Sequence, residues 1–243
     1  MNIFQKTLKT DCLIVDANKT LYSATMHKPP IYFRDQVIGL LNGSKRNEWR
    51  VYLAEYLAGL FSDMGIGDVK HSAHYALVRN IEKTEFKKAT LNYIRNHEYP
   101  GVRDFLEFWQ RPGKTSVLVS RNPFAEEAAE EYKIPHLVSN ESVFEDCVYR
   151  GSRITINTAQ EKLSAVEKKL EEIEVDFGNC SFVGDGRKDD LIGKKCKKEG
   201  GVYLASPDAE KFVRKNADHW IRDYRYFARN LQEEMPNVKS FRI

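Results

Sequence analysis

The sequence predicts an α/β fold, a parallel sheet with helices on both faces, into which a smaller α-helical domain is inserted near the N-terminus. Three observations carry this. Short, largely apolar runs recur at 12–15, 116–120, 180–183 and 202–204, and Cys12 to Val15 is apolar at successive positions rather than alternating, which is how a strand buried on both faces reads. Helical spacing separates these runs. Between the first two runs, residues 21–99 carry helical patterning with little strand signal.

In chain order, Cys12 to Val15 forms the first buried strand and runs into Asp16. Asp16 is a loop residue that ends the strand or, since open parallel sheets bind ligands beyond the carboxyl ends of their strands, a ligand-facing carboxylate. Trp49, Tyr52, Leu53, Tyr56, Leu57, Leu60 and Phe61 repeat at three- and four-residue steps, with Gly65 at a helix C-cap position. A second helix is predicted over Glu85 to Arg95. Pro29-Pro30 and Tyr99-Pro100-Gly101 punctuate the entrance and exit of the insert. His71 and His74 have the spacing of a ligand pair but no third ligand nearby, so a metal role is not favoured.

A helix through Val102, Phe105, Leu106 and Trp109 precedes the strand that ends at Ser120. Asn122 and Pro123 suit the N-cap and first position of a helix from Phe124 to Tyr132, whose free N–H groups and dipole would favour a phosphate. A short strand is predicted at His136 to Ser139, and a hairpin turning at Arg150-Gly151-Ser152 within 143–156. Thr158-Ala159-Gln160-Glu161 fits a capping box, followed by Leu163, Val166, Leu170 and Ile173 at helical spacing. That puts Lys162 in a first helical turn, where the dipole disfavours a cation; the residue is either a surface lysine or one recruited for its charge.

The strand at 180–183 ends in Gly184-Asp185-Gly186, with Asp189 and Asp190 close behind. Crowded carboxylates are costly without a cation, and hard oxygen donors of this kind suit Mg²⁺. After the strand at 202–204 come a helix over Pro207 to Asn216 and a basic, aromatic tail containing Arg222, Tyr224, Arg225, Tyr226, Phe227 and Arg229, read as a docked terminal helix.

Composition bounds the function. A length of 243 residues suits a core domain plus a smaller one, and 42% hydrophobic with 30% charged residues is ordinary for a globular chain. A net charge of +3 gives no argument for nucleic acid, and Lys194-Lys195-Cys196-Lys197-Lys198 reads as a solvated helix face. The four cysteines lack metal spacing and are expected as reduced thiols. No secretory leader pattern and no run of about 18 apolar residues is present, so a cytoplasmic protein without membrane contact is expected.

Strand-Asp-x-x-x-Thr, strand-Ser, a helix-start Lys and strand-Gly-Asp-Gly-x-x-Asp-Asp, in this order, resemble the haloacid dehalogenase superfamily, its phosphoserine-phosphatase-like members in particular. The resemblance covers residues 11–20 and 100–221 and implies a Rossmann-like α/β core of residues 1–20 and 100–243, with a helical type 1 cap at 21–99. It further implies a Mg²⁺-dependent phosphohydrolase acting on a small phosphorylated metabolite. By it, Asp16 is the nucleophile that forms an aspartyl-phosphate. The metal ligands would be Asp16, the backbone carbonyl of Asn18 and Asp185, supported by Asp189 or Asp190. Ser120, Arg121, Asn122 and Lys162 would bind the phosphoryl group.

The chain departs from that pattern at Asn18, where the family's phosphatases carry a second aspartate as general acid and base. Such catalysis is worth about 10²–10⁴-fold. The departure leaves two readings: a phosphatase of reduced turnover, or a catalytically weak protein that binds a phosphorylated ligand or regulates on the same fold.

Overall fold

The computed structural model describes residues 1–23, 50, 79–122 and 125–235. The expected helix at 49–61, Pro29-Pro30, Gly65, His71, His74 and Pro123 lie outside the described residues, apart from Arg50.

Helix α1 (Ile3–Lys9) precedes β1 (Cys12–Asp16). It carries a capping box: Asn2 Oδ1 accepts from the Gln5 N–H at 2.9 Å, and Gln5 Oε1 accepts from the Asn2 N–H. The chain is described again at α2 (Lys83–His97), followed by α3 (Val102–Glu107), a 3₁₀ turn at Phe108–Gln110, and β2 (Thr115–Ser120). Next come α4 (Ala125–Glu131), β3 (His136–Ser139), and a hairpin of β4 (Glu141–Glu145) and β5 (Val148–Arg153). The second half runs through α5 (Ala159–Glu172), β6 (Cys180–Gly184), α6 (Asp190–Lys198), β7 (Val202–Ala205), α7 (Lys211–Asn216), β8 (His219–Trp220) and α8 (Tyr224–Glu234).

Six strands form one parallel sheet in the order β3-β2-β1-β6-β7-β8, so this is the expected Rossmann-like α/β fold. The all-apolar strands have a direct cause. In β1, Leu13 and Val15 point into one core, with Phe105, Leu106 and Trp109 from α3 and its 3₁₀ extension and Tyr224, Phe227 and Leu231 of α8. Cys12 and Ile14 point into the other, with Val166 and Leu170 of α5, Ile192 and Cys196 of α6 and Val213 of α7. Both faces being covered, alternation would strand polar side chains in a core.

The strand order reverses at β1, with β2 on one side and β6 on the other. This is a topological switch point, where the strands' carboxyl ends open a crevice that loops can line.

Several expectations shift. The hairpin is present, but it turns at Asp146-Cys147, both at positive φ (48° and 62°), and Gly151 lies inside β5. Consecutive positive φ angles match the twist of a two-residue hairpin, and Asp tolerates that conformation. The helix expected from Pro207 begins at Lys211, because Ser206 to Glu210 form a loop tied back by the Glu210 N–H to the Asp185 carbonyl at 2.8 Å. The tail docks as α8, as expected. Helix α1 and the short strand β8 were not anticipated. The four cysteines are free thiols, Cys147 exposed and the others buried.

Residues 21–23 are tied to 97–99: the Ser23 N–H donates to the His97 carbonyl (2.9 Å) and the Tyr99 N–H to the Leu21 carbonyl (3.1 Å). Helix α2 then lies against the core rather than away from it. Tyr93 and Ile94 join the core that contains Leu13 and Val15, and Arg95 pairs with Glu131 of α4 at 2.7 Å.

Candidate active site

Asp16 ends β1 at the switch point and is buried. Its neighbours follow from register. Val119 pairs with Asp16, so Ser120 comes one residue further along β2; Val183 pairs with Val15, so Asp185 follows just beyond the end of β6. Three adjacent parallel strands thereby deliver a carboxylate, a hydroxyl and a second carboxylate to one end of the sheet.

Lys162 completes the centre. The capping box of α5 is formed as expected: Thr158 Oγ1 accepts from the Glu161 N–H at 3.1 Å, and Glu161 Oε2 accepts from the N–H groups of Thr158 and Asn157, each at 2.8 Å. This fixes where the helix starts and so the direction of Lys162 one turn in. Lys162 is only 2% exposed, and its Nζ donates to Asp16 Oδ1 at 2.6 Å and to Asp189 Oδ1 at 2.5 Å. It is no surface lysine, and its misfit with the helix dipole is outweighed by two carboxylates in direct contact.

Asp189 Oδ2 also accepts from the backbone N–H groups of Gly186 (3.1 Å) and Asp185 (3.3 Å). Gly184 makes room for this approach, since a Cβ there would lie 2.8 Å from the Asp189 Cβ.

Asp16, Asp185 and Asp189 each offer a carboxylate oxygen within 4.8 Å of the others, the only such group of potential metal ligands among the described residues. Burial raises the Asp16 carboxyl to about 6, held down by Lys162 and raised further by Asp189. Burial, then Asp189 and Asp16, push Asp185 well above the usual carboxylate range. Asp189 runs the other way, because Lys162 and the two backbone donors outweigh its burial. Burial pulls the Lys162 ammonium down, yet Asp16 and Asp189 outweigh it and hold the group above the ordinary range. Three carboxylates facing one lysine leave net negative charge in a buried site. A hard divalent cation such as Mg²⁺ suits that donor set.

Asp190, expected as an alternative supporter of the metal, is not part of this group. It starts α6 pointing elsewhere: its carboxylate accepts from Asn216 Nδ2 (2.9 Å) and Tyr203 Oη (3.3 Å) and pairs with Lys194 at 2.6 Å. Adjacent residues at a helix start project about 100° apart, so only one of the two aspartates can face the sheet end.

The loop after Asp16 is held from below. Lys19 adopts a left-handed conformation (φ 58°). Its N–H donates to the Tyr22 carbonyl at 2.8 Å, Ser206 Oγ donates to the Lys19 carbonyl at 2.9 Å, and Tyr224 Oη donates to the Thr20 carbonyl at 2.9 Å. Such strain persists where surrounding bonds over-determine the backbone. Asn18 Oδ1 and Thr20 Oγ1 are buried with no hydrogen-bond partner among the described residues.

On the β2 side, Ser120 is buried and its Oγ accepts from the Asn122 N–H at 3.1 Å. Arg121 lies close enough to Asp16 to lower its carboxyl. Lys188 donates to the Asn157 carbonyl at 3.1 Å, and its amine is depressed by burial and then by Arg121 and Lys162. Ser206, Tyr224 and Lys188 were not anticipated as parts of this centre. Only Lys188 carries a local signal, as a cation inside the Gly-Asp-Gly-x-x-Asp-Asp run.

Comparison with known proteins accords with this geometry. A sequence search finds no match among curated proteins. Among solved structures, a substrate-bound phosphoserine phosphatase complex aligns with TM-score 0.62 at 14% identity, over 93% of this chain and 98% of its own. A phospho-aspartyl intermediate analogue of phosphoserine phosphatase aligns with TM-score 0.58 at 16% identity, over 91% and 99%. A HAD family hydrolase from Salmonella enterica subsp. enterica serovar Typhi gives 0.65 at 14% identity, over 93% and 73%. These likenesses concern the fold. The family model for haloacid dehalogenase-like hydrolases matches residues 13–191, from β1 through the Gly-Asp-Gly-x-x-Asp-Asp run, and the chain therefore belongs to that family.

Proposed function

We propose that the protein is a Mg²⁺-dependent phosphohydrolase that acts on a small phosphorylated metabolite through an aspartyl-phosphate on Asp16. One observation carries this reading: a buried carboxylate at the switch point of a parallel sheet, bound by a buried lysine and grouped with two further carboxylates.

Asp16, Asp185 and the backbone carbonyl of Asn18 would hold the metal, which when bound supplies positive charge against the phosphoryl oxygens. Lys162 keeps one Asp16 oxygen oriented and stays protonated, leaving the other oxygen to attack phosphorus. As the Asp16–phosphorus bond forms, the ester oxygen departs with its electron pair. Water then attacks phosphorus, releasing inorganic phosphate and restoring the carboxylate. Ser120 and the cations Arg121 and Lys162 would bind phosphoryl oxygens, and Asn122, by donating to Ser120 Oγ, would orient that hydroxyl. The helical cap at 21–99 would set substrate choice. No helix among the described residues is long and apolar enough to cross a membrane.

Asn18 has no titratable proton, so the leaving oxygen takes its proton from elsewhere, and slow turnover on alkyl esters follows. A phosphatase panel with and without Mg²⁺, on wild type, Asp16→Asn and Asn18→Asp, tests this. The expected result is metal-dependent hydrolysis abolished by Asp16→Asn and raised about 10²-fold by Asn18→Asp. Hydrolysis that survives loss of Asp16 refutes the mechanism. Thermal stabilisation by phosphorylated metabolites with no turnover in any variant would instead support a binding or regulatory role, a reading favoured by Asn18 alone.

A further inference from the structure

Asn140 joins β3 to β4 and is 1% exposed. Its side chain meets its hydrogen-bonding capacity entirely with protein. Nδ2 donates to the Arg121 carbonyl at 2.7 Å and to the Ile156 carbonyl at 3.0 Å. Oδ1 accepts from the N–H groups of Thr155 and Ile156, each at 2.8 Å, with Thr155 Oγ1 at 3.5 Å. Two carbonyls on one side and two N–H groups on the other fix the amide's orientation without ambiguity.

The partners lie on two separate segments. Arg121 directly follows Ser120 at the end of β2. Thr155 and Ile156 lead into Thr158, the N-cap of α5, and thus to Lys162 one turn later. Neither segment is tied to the other by strand pairing: β2 pairs with β1 and β3, and 154–158 belongs to no strand. Packing of Val166 and Leu170 against Val117 and Val119 seats the body of α5 on the sheet, and at its N-terminal end one buried carboxamide bridges the loop that carries Ser120 and Arg121 to the segment that leads into Lys162. Lys188 reaches the same junction from the β6 side through the Asn157 carbonyl.

We propose that Asn140 is a positioning residue for phosphoryl transfer, holding the Ser120–Arg121 loop and the Lys162 helix at the spacing that lets both address one phosphoryl group. This rests on the phosphohydrolase reading. Asn140 touches no substrate; it acts through Arg121 and Ile156, and a displacement of about 1 Å in such groups costs about 10²-fold in rate.

The variant Asn140→Asp separates the two arms, because an ionised carboxylate keeps the acceptor bonds to Thr155 and Ile156 and loses the donor bonds to the Arg121 and Ile156 carbonyls. Asn140→Leu removes both. Val213→Ala, a core truncation on α7, serves as a control of lowered stability. With p-nitrophenyl phosphate and Mg²⁺, well below every melting temperature, Asn140→Asp is expected to lose about 10- to 100-fold in kcat, with KM rising as phosphoryl binding weakens, while Val213→Ala keeps its kcat and KM. Inorganic phosphate affinity, measured by calorimetry in the presence of Mg²⁺, is expected to fall at least tenfold in Asn140→Asp, and this readout needs no turnover.

Wild-type kcat and wild-type phosphate affinity in Asn140→Asp overturn the positioning role, as does an equal loss of kcat in Val213→Ala. A wild type that binds phosphate but does not hydrolyse esters refutes the phosphatase reading, and the phosphate affinities then decide on Asn140 alone. A wild type that does neither overturns both. Should Asn140→Leu fail to fold, Asn140→Asp carries the test.

Discussion

Replacing Lys162 with methionine removes one buried cation while nearly conserving volume. In the native protein that ammonium sits between Asp16 Oδ1 at 2.6 Å and Asp189 Oδ1 at 2.5 Å, and all three side chains are less than a tenth exposed. Taking one member from a buried ion pair costs about 3–5 kcal/mol, because the partners stay desolvated and uncompensated. For a protein of this size that lowers Tm by about 6–20 °C, at roughly 2–4 °C per kcal/mol. A surface lysine would cost within about 0.5 kcal/mol.

The pH dependence sharpens the test. Without Lys162, both Asp16 and Asp189 have carboxyls raised by burial and by each other. A raised carboxylate destabilises the fold while it is ionised, and the penalty is relieved as protons bind in the folded state. Since Asp16 stands at about 6 even with Lys162 holding it down, it stands higher without the lysine, and the stability deficit of Lys162→Met should be largest at pH 8 and shrink as pH falls toward 6 and below. Urea denaturation of both proteins between pH 5 and 8, without metal, measures it. A deficit below about 0.5 kcal/mol, or one that grows on acidification, would refute the placement of Lys162 between two ionised carboxylates.

Three further outcomes follow from the same geometry. Mg²⁺ affinity, read by calorimetry, should weaken as pH falls through about 6, approaching tenfold per pH unit where one proton is displaced from Asp16 on binding. Asp185→Asn removes a carboxyl held well above its usual range by burial and by Asp189, so it should raise the Tm of the metal-free protein at alkaline pH while abolishing the Mg²⁺-induced rise in Tm. Tyr224→Phe leaves the Thr20 carbonyl without its buried donor and should cost about 1–3 kcal/mol in denaturant unfolding, with slower turnover from a looser Asp16 loop.

The fold was legible because both faces of its sheet are buried. Cys12 to Val15, Val117 to Val119 and Val202 to Leu204 carry apolar side chains at successive positions, as strands of a sheet covered on both faces do. The start of α5 was equally legible: a capping box is a local device, complete within four residues. The hairpin turn was not. Arg150-Gly151-Ser152 carries the usual glycine, but the reversal falls at Asp146-Cys147, where pairing of Phe144 with Tyr149 and of Glu145 with Val148 leaves two residues to turn. Register won over local preference.

For the site, four motifs named Asp16, Ser120, Lys162, Asp185 and Asp189, of which the structure brings Asp16, Lys162, Asp185 and Asp189 together. They could not choose between Asp189 and Asp190, since neighbours in sequence diverge on a helix and only packing decides which faces the sheet end. Asn140, Ser206 and Tyr224 were beyond them altogether. Each makes its decisive bond to a segment at least 15 residues away in sequence, up to 204 for Tyr224 and Thr20. Sequence by itself determined which residue types meet at the strand ends, because apolar runs, caps and carboxylates follow short-range rules. Tertiary structure alone decided how they are held, because a buried hydrogen bond between distant segments exists only once the chain has closed around it.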